Sequence, residues 1–314
     1  MAGAVSVETG RPLAPSALLL LACAVSLHAQ APAKPASTTL EELRPTSRQI
    51  AALDVPIHPS ISASPNGRFL AALQTRPDPV LWIVPTDGGE PFAFRKTWAT
   101  YSPRWAPSGN RIGFIAAIGP PRIWTVEVDP ESGRAIDPPR MLIRTNANAF
   151  TFSPDGQRIA LVSSRATAAG RSEIHIVDWE SRRSRVLLRE NGTIYWLDWA
   201  PDAESIYYGV IPNDSAGDGT HRVVRAQVRT GSSENVLEVE EFLGLSSDGA
   251  RLAYRPAGER QADHSVVELA TTAGEILVQL LIPARPTARW GADLGSLLQT
   301  RVAGMKTEIW EFSY

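Results

Sequence analysis

Four histidines lie beyond the first 31 residues and could do chemistry: His58, His175, His221 and His264. A metal centre needs three or four ligands within about 2.0–2.3 Å of one point, so their use depends on the elements that carry them. Aspartate recurs as Asp155, Asp202, Asp248 and Asp293, and a recurring acid raises the question of calcium. Cys23 is the only cysteine. If it is removed with a leader, no disulfide, thiolate or cysteine metal site remains. No G-x-S-x-G occurs, and no Ser-His-Asp order, phosphate-binding glycine loop or paired catalytic carboxylates stand out.

The elements that must carry these residues come from one stretch, Phe152-Ser153-Pro154-Asp155-Gly156-Gln157-Arg158-Ile159-Ala160-Leu161-Val162. It reads as strand, tight turn, strand. Pro154 presets φ near −65°, Asp155 can accept from the backbone two residues on, and Gly156 tolerates positive φ. Copies align on Pro65, Pro107, Pro154, Pro201, Ser247 and Ala292, at spacings of 42, 47, 47, 46 and 45 residues. Self-similarity at about 40–50 residues is the mark of propeller blades.

Each copy then follows one grammar. Strand a runs into the turn and strand b follows it. A variable loop leads to strand c, such as Ile123–Val128 or Ile174–Trp179, and a polar turn leads to strand d, such as Met141–Ile143. The sixth copy stops after strand c, at Tyr314, and the segment at 48–55 is the strand available to close it. The expected fold is an all-β, six-bladed β-propeller of four-stranded antiparallel blades, the last closed by an N-terminal strand. The motif resembles the W/F-S-P-D-G-x-x-I/L-A-F core of the TolB-type, WD-repeat-like β-propeller family, and the likeness covers nearly all of the chain after about residue 45. It is also similar to the propeller of dipeptidyl-peptidase relatives, but this sequence has no room for their hydrolase domain. The resemblance implies the fold and an envelope protein–protein interaction; the partner does not carry over.

On this frame the candidate chemistry thins out. His175, His221 and His264 fall in or beside strand c of three different blades and should diverge radially, so no metal and no cofactor is expected. The aspartates sit in hairpin turns, where blades one and two use Asn66 and Ser108 instead, so local bonding is the plainer reading. Trp105, Trp199 and Trp290 share the slot two before the anchor, with Phe152 and Leu245, as an inter-blade core would. Tyr101 and Tyr195 differ. Both lie six before the anchor, where strand a begins, with Trp98 and Trp196 nearby. These four are the candidate binding rim at the mouth of the channel; the plainer reading is that they cap the ends of the core.

Formal net charge is −2, which argues against a generic nucleic-acid or anionic-membrane binder. Of 31 basic residues only Lys34, Lys96 and Lys306 are lysine, leaving 28 arginines, and their even scatter reads as genomic base composition. Residues 1–31 read as a signal peptide: Arg11, an apolar run from Leu13 to Leu27, and Ala29-Gln30-Ala31 as the cleavage site. The run is short of the ~20 residues a spanning helix needs. Leu19-Leu20-Leu21-Ala22-Cys23 also resembles a lipobox, so a lipid anchor at Cys23 is the alternative. Residues 32–47 read as a Pro/Ala-rich linker with a short turn at Leu40–Leu43, and 48–314 as the propeller.

The reading is an exported, periplasmic or extracellular, non-catalytic binding or scaffold propeller whose partner is another envelope protein or peptide. One alternative is a propeller hydrolase or lyase with its site at the channel mouth. Another is a regulatory propeller that acts on a separate hydrolase subunit. Fractionation should find the mature chain outside the cytosol; a stable cytosolic precursor overturns export. Cys23→Ser should release the protein from membranes only if that cysteine is lipidated.

Overall fold

Four short β-rich segments joined by reversing turns make one antiparallel sheet, and the sequence repeats that unit. A computed structural model of the protein describes residues 42–74, 76–94, 99–116, 120–144, 146–164, 170–213, 219–258, 264–283, 289–290 and 296–314. Blade 1 comprises Ile57–Ala63, Phe69–Gln74, Val80–Pro85 and Phe92–Phe94, in sheet order. Blade 2 comprises Ala99–Trp105, Arg111–Ala116, Arg122–Glu127 and Arg140–Ile143, and blade 3 Ala149–Phe152, Arg158–Ser164, Ser172–Asp178 and Ser184–Glu190. Blade 4 comprises Gly192–Trp199, Ser205–Pro212, His221–Gln227 and Ser233–Val239, and blade 5 Glu241–Leu245, Arg251–Arg255, His264–Thr271 and Ile276–Pro283. Blade 6 takes Arg289–Trp290, Ser296–Ala303 and Lys306–Ser313 from the C-terminal end. The protein is a six-bladed β-propeller.

Strand b of each blade is an unbroken apolar run because both of its faces are covered; all six residues of Phe69–Gln74 are buried. The core is correspondingly divided into six clusters, one at each junction between blades. Phe69 of blade 1, for example, stacks on Trp105 of blade 2 at 6.5 Å. The repeated turns close as expected. Asp155 accepts from the Gln157 N–H at 2.9 Å, Asp202 from Glu204 at 2.7 Å and Asp248 from Ala250 at 3.0 Å. Hydrogen bonds from Ser246 and Ala250 hold the Asp248 carboxyl below its ordinary pKa. Asp293 lies outside the described residues.

The ring is shut by Thr46–Leu53, which pairs antiparallel with Lys306–Ser313 from Thr46↔Ser313 to Leu53↔Thr307. The ladder shifts between Gln49 and Ala51, leaving Ile50 as an extra, bulged residue. That bulge explains why Ile50 and Leu53, three apart, are both buried in the cluster between blades 6 and 1. Arg48 pairs with Glu311 at 2.7 Å across the same seam. The buried Thr307 hydroxyl donates to Val55 O and accepts from the Ile57 N–H, both at 2.9 Å, tying the closing strand to blade 1. Pairing starts earlier than position 48. Thr46 and Ser47 already belong to the closing strand, and Glu42–Leu43 runs parallel to the outer strand of blade 5, opposite Gln279 and Leu280. These residues of the expected linker are recruited because an outer strand offers unpaired backbone groups.

Deleting residues 32–55 should abolish cooperative melting of the whole domain, although no complete blade is lost. Ile50→Ala alone should cost about 2–5 kcal/mol. Thermal unfolding followed by circular dichroism checks both; a deletion that melts like the intact protein refutes the role assigned to the seam.

Candidate functional site

The innermost strands converge on the axis, and most of them are bulged. Register shifts fall between Ile57 and Ile61 in blade 1, on either side of Tyr101 in blade 2, between Ile194 and Trp196 in blade 4, and between Phe242 and Gly244 in blade 5. Ser102 adopts φ 56° within the second of these. Bulges add twist and re-aim side chains where a regular strand would crowd.

A recess of about 460 Å³ occupies the axis. Its outer rim is formed by the strand a–b turns at Pro65, Pro107, Pro154 and Pro201, and its wall by the slot three before the anchor: Ser62, Arg104, Thr151, Asp198 and Gly244. Arg104, only 8% exposed, lays its guanidinium 4.1 Å from the centre of the Trp196 ring. The Trp196 indole N–H donates to Asp198 Oδ2 at 2.7 Å, and the Leu245 N–H approaches the same oxygen at 3.3 Å. A cation, an aromatic plane and a carboxylate are thus strung across the wall. The arrangement can stack against and hydrogen-bond a ligand.

The four candidate rim residues do not make one patch. Trp98 lies outside the described residues. Tyr101 is half-buried beside the cluster between blades 2 and 3, where burial raises its phenol pKa. Tyr195 is the bulged residue of blade 4, opposite no residue of strand b. Its ring crosses Gly209, where a Cβ would come within 2.6 Å of it, so only glycine fits there. Its hydroxyl accepts the Phe242 N–H at 2.7 Å and meets His221 Nδ1 at 3.3 Å. With His221, Glu240, Glu241 and Arg255 it lines a second recess, at the junction of blades 4 and 5. Trp196, next in sequence, resumes the ladder and lines the axial recess. The channel slot that holds Arg104 and Asp198 was missed from sequence; its signal is a polar residue that changes from blade to blade beside a constant apolar one.

His175 Nε2 lies 2.9 Å from Ser163 Oγ and 3.3 Å from Glu173 Oε2, and Arg189 holds the other Glu173 oxygen at 2.9 Å. Serine and acid meet the same ring nitrogen, whereas a catalytic relay places them on opposite ones. The network fastens strands b, c and d of blade 3. Among the described residues no three His, Cys, Asp or Glu side chains come together as a metal site would require.

No protein-family model matches the sequence, and no curated protein matches it. Solved structures do share the fold. TolB from Acinetobacter baumannii superposes with a TM-score of 0.54 at 16% identity, over 73% of this chain and 58% of that one. The putative TolB from Agrobacterium tumefaciens gives 0.57 at 17% identity, over 81% and 90%. The oligogalacturonate lyase from Vibrio parahaemolyticus gives 0.53 at 8% identity, over 87% and 98%. This chain has the fold of the TolB propellers. The same architecture carries a lyase, so the architecture alone does not choose between binding and catalysis.

Burial lowers the His221 pKa, and Arg255 adds to the shift, against opposition from Glu241 and Glu240. The unfolded chain therefore takes up the proton first, near the ordinary value of about 6.5. The stability contributed by neutral His221 should be complete above that pH and be lost as pH falls toward the folded-state value. His221→Phe should flatten the stability–pH curve over this interval. A ring-proton NMR titration of His221 with a midpoint at or above that of free imidazole contradicts the assignment.

Proposed function

We propose that the protein is an exported, non-catalytic binding propeller of a bacterial cell envelope that takes an extended segment of another envelope protein into its axial recess. One observation carries this reading. Slots that build the fold repeat from blade to blade, as with Trp105, Phe152, Trp199 and Leu245 two before the anchor. The channel slot one residue earlier holds Ser62, Arg104, Thr151, Asp198 and Gly244, five different side chains on one wall. A symmetric frame with an asymmetric lining suits an asymmetric ligand such as a peptide, gripped by the Arg104–Trp196 stack and by hydrogen bonds. Tyr195 and Tyr101, nearer the opposite mouth, would contribute secondary contacts. The N-terminal leader pattern and the resemblance to TolB-type repeats support the envelope setting. A lyase or hydrolase would need an acid and a base facing one bond; Asp198, the carboxylate on this wall, is engaged by Trp196 and Leu245.

A photo-crosslinking residue at Thr151, inside the recess, should capture a discrete envelope protein. The same residue at Leu277, exposed on the outer strand of blade 5, should not. Thr151→Arg should block capture with little change in melting temperature. Equal capture from both positions refutes the axial site.

A further inference from the structure

Blades 2 and 3 enclose a third cavity, away from the axis, of about 240 Å³. It is smaller than the pockets that hold drug-sized ligands, about 300–1,000 Å³. Three arginines reach it from separate elements: Arg111 from strand b of blade 2, Arg140 from strand d, and Arg182 from the strand c–d turn of blade 3. Trp179 lies between two of them, with Arg111 at 4.4 Å and Arg182 at 4.8 Å from its ring centre. Glu127 is the carboxylate of the lining; it pairs with Arg140 and, at 3.6 Å, with Arg111. Three cations against one anion leave a formal charge of +2.

Two further observations point to a missing anion. Thr125 lines the cavity and is 2% exposed, yet its hydroxyl has no hydrogen-bond partner among the described residues, and neither does the buried Arg111 Nε–H. Such orphaned donors are costly unless something fills the site. The second concerns the backbone. The turn Asp129-Pro130-Glu131-Ser132-Gly133-Arg134 recurs in blade 3 as Asp178-Trp179-Glu180-Ser181-Arg182-Arg183. In both, the fifth residue is left-handed, φ 67° at Gly133 and 58° at Arg182, and donates its N–H to the first residue's carbonyl. Gly231 occupies the same position in blade 4 at φ 75°. Blade 3 alone of these three places a side chain there, against the backbone preference, and that side chain is a guanidinium over the cavity. Burial and the charges of Arg111 and Arg140 all disfavour the Arg182 cation, a repulsion that an anion would relieve.

We propose that this cavity binds a doubly charged tetrahedral oxyanion, a phosphate or sulfate group held by Arg111, Arg140, Arg182 and the Thr125 hydroxyl. Guanidinium forks match such oxygens in geometry as well as charge. The group may arrive free or as a monoester, since the cavity opens to solvent beside Arg140 and Arg182, both exposed.

The test titrates the full-length mature protein with inorganic phosphate, sulfate and phenyl phosphate at constant ionic strength, with chloride as the reference, by calorimetry and thermal melting. Wild type should bind the dianions and be stabilised by them. Arg182→Gly should weaken binding about tenfold or more, while melting in chloride no lower than wild type, because glycine suits the left-handed turn. Thr125→Val, of similar shape, should weaken binding and keep the fold. Tighter binding of phenyl phosphate than of inorganic phosphate marks an ester as the ligand; equal binding marks the free ion. No heat beyond that of chloride up to about 10 mM ligand, or unchanged affinity in Arg182→Gly, overturns the proposal.

Discussion

A sheet that is apolar on both faces must have both faces covered, and everything else in this protein follows from how that is done. Strand b of each blade is buried on its two sides, so each blade needs a neighbour on either hand. A row of such sheets would leave two end faces in water. Bending the row into a ring removes both ends, and the six inter-blade clusters are the result. The ring must also be held shut. The seam does this with a backbone ladder, two buried aliphatic side chains and a threonine that bonds both to the closing strand's exit and to blade 1.

Closing the ring has a geometric consequence at its centre. Innermost strands crowd together there, and bulges relieve the crowding by turning side chains out of register. The same device that fits the strands around the axis sends Tyr195 toward blade 5 and leaves Trp196 to the channel. The channel wall is free to differ from blade to blade because it does not hold neighbouring blades together. Binding and stability therefore draw on adjacent residues of one strand with little conflict.

The arginines acquire a role that their scatter along the chain does not suggest. Guanidinium groups lie over Trp179, Trp196, Trp199 and Trp310. Planar, weakly hydrated guanidinium can cover an indole at the edge of a junction while keeping its charge, which a lysine ammonium does less well. A composition bias of genomic origin is compatible with this use. At one junction three such groups gather around a single glutamate, and there covering an aromatic ring turns into an excess of positive charge.

What the sequence by itself determined is whatever depends on residues close in the chain. Turn chemistry at Pro154-Asp155-Gly156 and its copies set the phase, the phase set the number of blades, and the strand-like segment ahead of blade 1 was the evident closing strand. Even the broken alternation of Ile50, Leu53 and Val55 was visible, although its cause, a bulge, was not. Tertiary structure alone decided what depends on register and on junctions between blades. Whether Tyr195 and Trp196 share a surface turns on one unpaired residue, which no periodicity reports. Arg111, Arg140 and Arg182 meet only because blade 3 leans its c–d turn on blade 2. Side chains that far apart in the chain become neighbours through the packing of sheets, and local propensity carries no record of that.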